Sequence, residues 1–175
     1  MSDMGTVLVT GASRGIGAAC VRLLARDGHD VAINYARSAD AANQLVDEVK
    51  AAGRRDIAIK ADVGVEADVE HMFDTLDAEM PPLAGLINNA GILFAKARVD
   101  EMGPDRINDT LRINVTGSFM CARQAIRRMS AWLEKVDIQG VPTNIPLLRR
   151  ILADDNFLKG DFTTAFLEVN PTVVP

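Results

Sequence analysis

The sequence predicts an α/β protein, a parallel sheet with helices on both faces, ending in a short, mostly helical tail. Three observations carry that reading. Apolar runs of strand length alternate with segments whose apolar residues recur at helical spacing. The strand-length runs are almost continuously apolar, as expected of strands buried on both faces. Their connections are short, so each strand–helix–strand unit closes as a crossover onto one sheet.

The elements follow in order. Thr6-Val7-Leu8-Val9-Thr10 is a β-rich run ending at a glycine turn. From Ile16 to Ala25 the positions Ile16, Cys20, Leu23 and Leu24 make a helical stripe, which Asp27-Gly28 stops. Val31 to Tyr35 is a second strand, Ala41 to Ala52 an amphipathic helix closed by Gly53, and Ile57 to Ala61 a third strand. Val69 to Met80 forms a third helix and Leu83 to Asn88 a fourth strand. After Pro104 a long helical stripe runs through Ile107, Leu111, Val115, Phe119, Ala122 and Ile126. Beyond about Met129 the alternation weakens. There Lys135 to Gln139 is expected as a short edge strand, and Thr143-Asn144 as the cap of a helix from about Ile145 to Ala153, with Pro146 in its first turn. Asp161 to Glu168 is expected to add a last helical turn.

Composition narrows the function classes. With 48% hydrophobic and 25% charged residues, the chain has the make-up of an ordinary globular protein. Its net charge is −5 and its arginine pairs, Arg54-Arg55, Arg127-Arg128 and Arg149-Arg150, read as polar faces, so nucleic acid is not expected as a partner. No apolar run reaches the length of a membrane span, and no charged leader precedes an apolar stretch; a cytoplasmic location is the default expectation. Cys20 and Cys121 lie far apart in helical patterns and read as buried structural thiols. His29 and His71 read as turn or surface residues, and no metal site is expected.

The chemistry concentrates in Gly11-Ala12-Ser13-Arg14-Gly15-Ile16-Gly17, between a strand and a helix. Glycines let a diphosphate approach the backbone, and the helix N-terminus offers it unpaired N–H groups and positive dipole charge. The strand–turn–helix context is what such a motif requires. At the end of the second strand, an acidic residue would hold the ribose hydroxyls of NAD and repel a 2′-phosphate. Here the residues are Asn34-Tyr35-Ala36-Arg37-Ser38, with no carboxylate before Asp40. Arg37, Ser38 and Arg14 suit a phosphate instead.

The spacing Thr10-Gly11-x-x-x-Gly15-x-Gly17 resembles the signature of the short-chain dehydrogenase/reductase family, in particular its 3-oxoacyl-carrier-protein-reductase-like and sugar-dehydrogenase-like members. Asp62-Val63 after the third strand, Asn88-Asn89-Ala90-Gly91 closing the fourth, and Asn114-Val115-Thr116-Gly117 in the fourth helix are similar to further landmarks of that family. The resemblance spans about residues 5–129 and implies the N-terminal half of a Rossmann-like fold with NADP as cofactor. It assigns cofactor contacts to Gly11, Ser13, Arg14, Gly15, Ile16, Gly17, Asn34, Tyr35, Arg37, Ser38, Asp62, Val63, Asn89, Ala90 and Gly91, and a catalytic position to Asn114. It further implies a carbonyl or alcohol substrate, and pairing of copies through the fourth helix, whose apolar stripe is expected to be sticky.

The family's proton donor is a tyrosine followed four residues later by a lysine. This chain has one tyrosine, Tyr35, in the second strand, and no Tyr-x-x-x-Lys. Its residues from about 130 to 170, with the core Gly140-Val141-Pro142-Thr143-Asn144-Ile145-Pro146, resemble instead the C-terminal end of biotin carboxylase domains. The expected organisation is therefore a dinucleotide-binding half-domain over 1–129 and a carboxylase-like tail over 130–175. A designed fusion, a natural one and an error of gene assembly are equally compatible with that junction. Three readings follow: an impaired or inactive NADP(H)-dependent oxidoreductase, a dinucleotide-binding module without turnover, and a chimeric scaffold with no activity.

Overall fold

A computed structural model describes residues 5–133 and 145–160. By its contacts the chain divides into two compact units, Met1–Met129 and Ser130–Pro175.

In the first unit, β1 (Thr6–Val9), β2 (Asp30–Tyr35), β3 (Asp56–Lys60) and β4 (Leu83–Ile87) form one sheet in the order β3-β2-β1-β4. All three pairings are parallel, with Val7 opposite Val31, Ala32 opposite Ile57 and Leu8 opposite Leu86. Between the strands run α1 (Gly15–Arg26), α2 (Ala39–Ala51) and α3 (Glu66–Glu79). After β4 come α4 (Pro104–Leu111), one π-helical turn (Arg112–Thr116) and α5 (Gly117–Leu133). The expected helices on both faces are present. Val9, Val21, Val31, Ile33, Leu45 and Val49 pack one face under α1 and α2. Leu8, Ala32, Met72, Phe73, Leu76, Cys121 and Ala125 pack the other under α3 and α5. Alternate residues of β1 and β2 therefore feed opposite layers. Each fully buried large side chain contributes about 1.5–3 kcal/mol relative to exposure.

Three expectations change in the folded chain. In α1 the buried residues are Gly17, Ala18, Val21 and Ala25, whereas Ile16 and Leu23 of the expected stripe face solvent. Cys20 and Leu24 do pack against the core, but only in part. The reason is distance: a Cβ on Gly17 would fall 2.8 Å from the Cα of Ala12, so the helix start lies too close to the glycine turn for a large side chain.

The second change concerns the arginine pairs, two of which are not simply solvated. Arg54 Nη2 lies 2.8 Å from Oδ1 of the buried Asp30, with the arginine side chain itself largely covered. Arg128 lies 5.1 Å from the centre of the Phe73 ring while binding Asp74 and Asp77, which ties α5 to α3. Both contacts join residues more than twenty positions apart, beyond the reach of local patterning.

The third change is the long helix after Pro104, which is broken by the π-helical turn. Its buried side carries Cys121, Gln124 and Ala125, while Ile107, Leu111, Val115, Phe119 and Ile126 of the expected stripe are exposed. Cys121 is fully buried, as expected, and burial pushes its thiol up to about 11. Cys20 is only half-buried. His29 lies in the turn before β2 and His71 on the exposed side of α3.

In the second unit α6 (Ile145–Ala153) falls where the sequence places it. A short helix, α7 (Asp155–Lys159), follows it, begun by Asp154, whose carboxylate accepts the N–H groups of Asn156 and Phe157. Gly160 ends it in the left-handed conformation, φ +74°. Five residues are too few for periodicity to reveal this helix. The expected strand at 135–139, the cap at Thr143-Asn144 and the turn at 161–168 lie outside the described residues. No helix among those described is long and apolar enough to cross a membrane.

Candidate functional site

The C-terminal ends of β1, β2, β3 and β4 open onto one cavity of about 340 Å³. In parallel α/β sheets this is the edge where the chain turns from strand to helix and where ligands bind. β1 delivers Gly11, Ser13 and Arg14 to the wall; β2 delivers Asn34, Arg37 and Ser38; β3 delivers Asp62 and Val63; and β4 delivers Asn89, Ala90 and Gly91. Eleven of the sixteen predicted site residues thus share one enclosure.

The other five do not line it. Gly15 and Ile16 are exposed at the first turn of α1, and Gly17 is buried. Tyr35 lies elsewhere. Its side chain packs against the core layer of α1 and α2, because successive strand residues point to opposite faces and Asn34 takes the site-facing position. Asn114, in the π-helical turn, is also absent from the wall. Its Oδ1 accepts the N–H of Ile92 at 2.8 Å, and its Nδ2 donates to the Ile92 carbonyl at 2.9 Å. That paired contact pins the segment after β4 against the helix. π-helical turns recur at functional sites, and this one carries the predicted catalytic asparagine.

The glycine turn is held from two sides. Asn34 Oδ1 accepts the Gly11 N–H at 3.1 Å, while Asn34 Nδ2 donates to the Ala61 carbonyl at 3.0 Å. From β4, Asn89 Nδ2 donates to the carbonyls of Thr10 and Gly11 at 2.9 and 3.0 Å. Thr10 Oγ1 in turn accepts the N–H groups of Asn89 and Ala90, both at 3.0 Å. These bonds set the turn before any ligand arrives. Gly11 and Gly15 adopt φ of +60° and +59°, which side chains rarely tolerate. No side chain caps the N-terminus of α1, so its first N–H groups are free to meet an anion.

The charge of the site is one-sided. Arg14 and Arg37 line the cavity, are exposed, and have no ion-pair partner among the described residues. The one carboxylate on the wall, Asp62, is met by Arg112, a residue that no sequence motif singled out. Arg112 Nη1 lies 3.1 Å from Asp62 Oδ2. That hydrogen bond holds the guanidinium above its ordinary value, against the opposing effect of burial. Nothing in the sequence links the two, since fifty positions separate them. No group of three or more metal-ligating side chains occurs among the described residues.

Comparison with known proteins agrees with this architecture. The family model described as short chain dehydrogenase matches residues 5–136.

The chain belongs to the short-chain dehydrogenase family.

A second family model, the biotin carboxylase C-terminal domain, matches residues 109–169, the region of the tail resemblance, and overlaps the first over 109–136. The uncharacterized oxidoreductase YgfF of Escherichia coli is 44% identical over 127 residues, which is 73% of this chain and 51% of that protein. Versicolorin reductase stcU of Emericella nidulans is 39% identical over 127 residues, covering 73% of this chain and 48% of its own. Among solved structures, a short-chain dehydrogenase from Burkholderia cenocepacia in complex with NADP has a TM-score of 0.68 at 42% identity, over 72% of this chain and 51% of that one. The short-chain dehydrogenase/reductase from Serratia marcescens scores 0.69 at 36% identity, over the same shares. This chain spans about half the length of the relatives it matches.

Proposed function

We propose that residues 1–129 form a dinucleotide-binding half-domain that takes NADP(H), and that this chain by itself transfers hydride weakly or not at all. The observation that carries the first part is convergence: Arg14 from the glycine turn and Arg37 and Ser38 from the end of β2 line the same cavity, and β2 ends in Asn34-Tyr35 with no carboxylate. Guanidinium groups bind a phosphomonoester through charge-assisted bonds, and a carboxylate in that place would repel it. The diphosphate is expected over Gly11 to Gly17 at the start of α1, the adenine beside Asp62 and Val63, and the nicotinamide toward Asn89, Ala90 and Gly91. The NADP bound to the Burkholderia cenocepacia relative supports the choice of dinucleotide.

When bound, the dinucleotide would supply a hydride donor or acceptor for a carbonyl or alcohol substrate. A carbonyl reduction also needs a proton donor beside the oxygen. The chain's one tyrosine, Tyr35, packs in the core layer away from the cavity, which supports binding without turnover. Carboxylase activity is not part of the reading, since nothing in the tail brings an ATP site with it. The chain reads as a fusion of two families, carried in the cytoplasm. The exposed stripe from Ile107 to Ile126 supports self-association through α4 and α5, a large apolar surface being costly to leave in water.

NADPH fluorescence titration tests the reading, with Gly15→Asp as control. A saturable signal is expected in the parent and none in the variant, whose carboxylate would face the diphosphate. No saturable signal in the parent refutes cofactor binding. Steady NADPH oxidation with any member of a ketone panel refutes the claim of little turnover. A clean monomer in light scattering at high concentration refutes self-association.

A further inference from the structure

We infer that Arg112 is a positioning residue for the dinucleotide, holding and neutralising the one carboxylate in a cavity otherwise built for anions. The inference rests on the dinucleotide reading above and deepens it. Arg14, Arg37 and Arg112 line the cavity against the single carboxylate of Asp62, and every other lining residue is uncharged. Were Asp62 left alone, its charge would oppose a ligand that carries a diphosphate and a phosphomonoester.

The structure removes that opposition at one point. Asp62 Oδ1 accepts the Gly64 N–H at 2.9 Å and Oδ2 accepts from Arg112 at 3.1 Å, so both oxygens are held. The peptide N–H of Asp62 donates to Asp68 Oδ2 of α3 at 2.9 Å, which fixes the backbone beneath. On the far side Asp109 of α4 lies 3.4 Å from Arg112 Nε and turns the guanidinium toward Asp62. Space is reserved for it as well: a Cβ on Gly64 would fall 2.9 Å from Arg112 Cζ and 3.0 Å from its Cγ. The pair is only partly buried, so the guanidinium also remains open to a ligand in the cavity.

The test titrates the full chain with NADPH and, separately, NADH by fluorescence, with melting temperatures alongside. The variants are Arg112→Met, Arg112→Lys and Arg112→Met combined with Asp62→Asn. Arg112→Met is expected to weaken NADPH roughly tenfold, the size of effect that about 1.4 kcal/mol produces, and to weaken NADH less. Arg112→Lys should recover most of the loss. So should adding Asp62→Asn, because the charge that Arg112 offsets is then gone. A merely structural arginine would lower the melting temperature and weaken both dinucleotides alike, whereas a positioning one weakens NADPH more than NADH at a melting temperature close to the parent's. If Arg112→Met fails to fold, Gly64→Ala crowds the same guanidinium from the other side and should show the same loss and the same rescue. A parent that binds NADPH while Arg112→Met binds equally well, or while Asp62→Asn rescues nothing, overturns the inference and leaves the dinucleotide reading intact. A parent that binds neither dinucleotide overturns that reading, and this one with it.

Discussion

Asn34 and Gly11 are joined by a 3.1 Å hydrogen bond in which the asparagine Oδ1 accepts the glycine N–H, while the same side chain donates at 3.0 Å to the Ala61 carbonyl. One buried amide thus ties the glycine turn after β1 to the end of β3 from its place in β2. An amide carries its acceptor and its donor on two separate atoms, which lets it meet both groups at once. Asn34→Asp would set a carboxylate oxygen against the Ala61 and Ile59 carbonyls. We expect a loss of about 3 kcal/mol in urea denaturation at pH 7, and weaker NADPH binding from a loosened turn. A variant as stable as the parent would remove Asn34 from this role.

Arg14 and Arg37 should govern the choice between the two dinucleotides. Each contributes a charge-assisted bond worth about 1.5–3 kcal/mol, so Arg37→Ala and Arg14→Ala are each expected to weaken NADPH by tenfold or more. NADH, which has no 2′-phosphate, should be affected much less by Arg37→Ala. Equal losses for both ligands would place Arg37 away from the phosphomonoester.

Gly17 and Gly15 should respond differently to alanine. At Gly17 the new methyl would meet Asn89 Nδ2 at 2.5 Å and the Ala12 Cα at 2.8 Å, so the bonds from Asn89 to Thr10 and Gly11 must yield. A cost of about 1–3 kcal/mol is expected from this overpacking. At Gly15 there is open space but φ is +59°, so the cost is backbone strain of roughly 1–2 kcal/mol. Thermal melts of the two variants, with NADPH titrations, check the order.

Arg54 and the buried Asp30 form the most deeply buried ion pair among the described residues, and Asp30 Oδ1 also accepts the Arg55 N–H at 2.9 Å. Arg54→Met would strand the carboxylate in the interior. A loss of about 3–5 kcal/mol is expected from breaking such a pair. Arg22→Met, which breaks the exposed pair with Glu48, should change stability by less than about 1 kcal/mol. Comparable effects for both would show that the Arg54 site is wetter than its burial indicates.

Asp56, at the start of β3, has its carboxyl raised above the ordinary carboxylate range, chiefly by burial, with Lys50 opposing and Asp47 adding. A raised carboxyl favours its protonated form in the fold. Its contribution is therefore fully present below the unfolded value and is lost as pH rises through the folded one. Asp56→Asn should be more stable than the parent at pH 7, and the gain should vanish on acidification. Glu48 has the opposite sign, since its bond to Arg22 lowers its carboxyl, and Glu48→Gln should lose stability near neutrality. Stability curves of both variants from pH 3 to 8 should converge at the acid end.

Much of the fold was legible because its signals are short-range. The apolar runs of β1 and β2, the stops at Asp27-Gly28 and Gly53, and the helix from Ile145 to Ala153 each depend on neighbours within a few residues. The glycine turn was legible for the same reason. What escaped notice depends on contacts across the chain. Ile16 and Leu23 share the helical spacing of Cys20 and Leu24, yet the closeness of α1 to the sheet selects Gly17, Ala18, Val21 and Ala25 for burial. Tyr35 is adjacent to Asn34, and the strand's alternation sends it away from the cavity that Asn34 faces.

The sequence by itself determined the order of strands and helices, the glycine turn and the absence of a carboxylate before Asp40. Backbone propensity, turn chemistry and residue identity are local properties, so they survive without coordinates. Only the tertiary structure decided that Arg112 meets Asp62 and that Arg54 reaches the buried Asp30. Those outcomes depend on which elements end at the same edge of the sheet. Electrostatic and packing energies act over a few ångströms of space, regardless of how many residues of chain lie between.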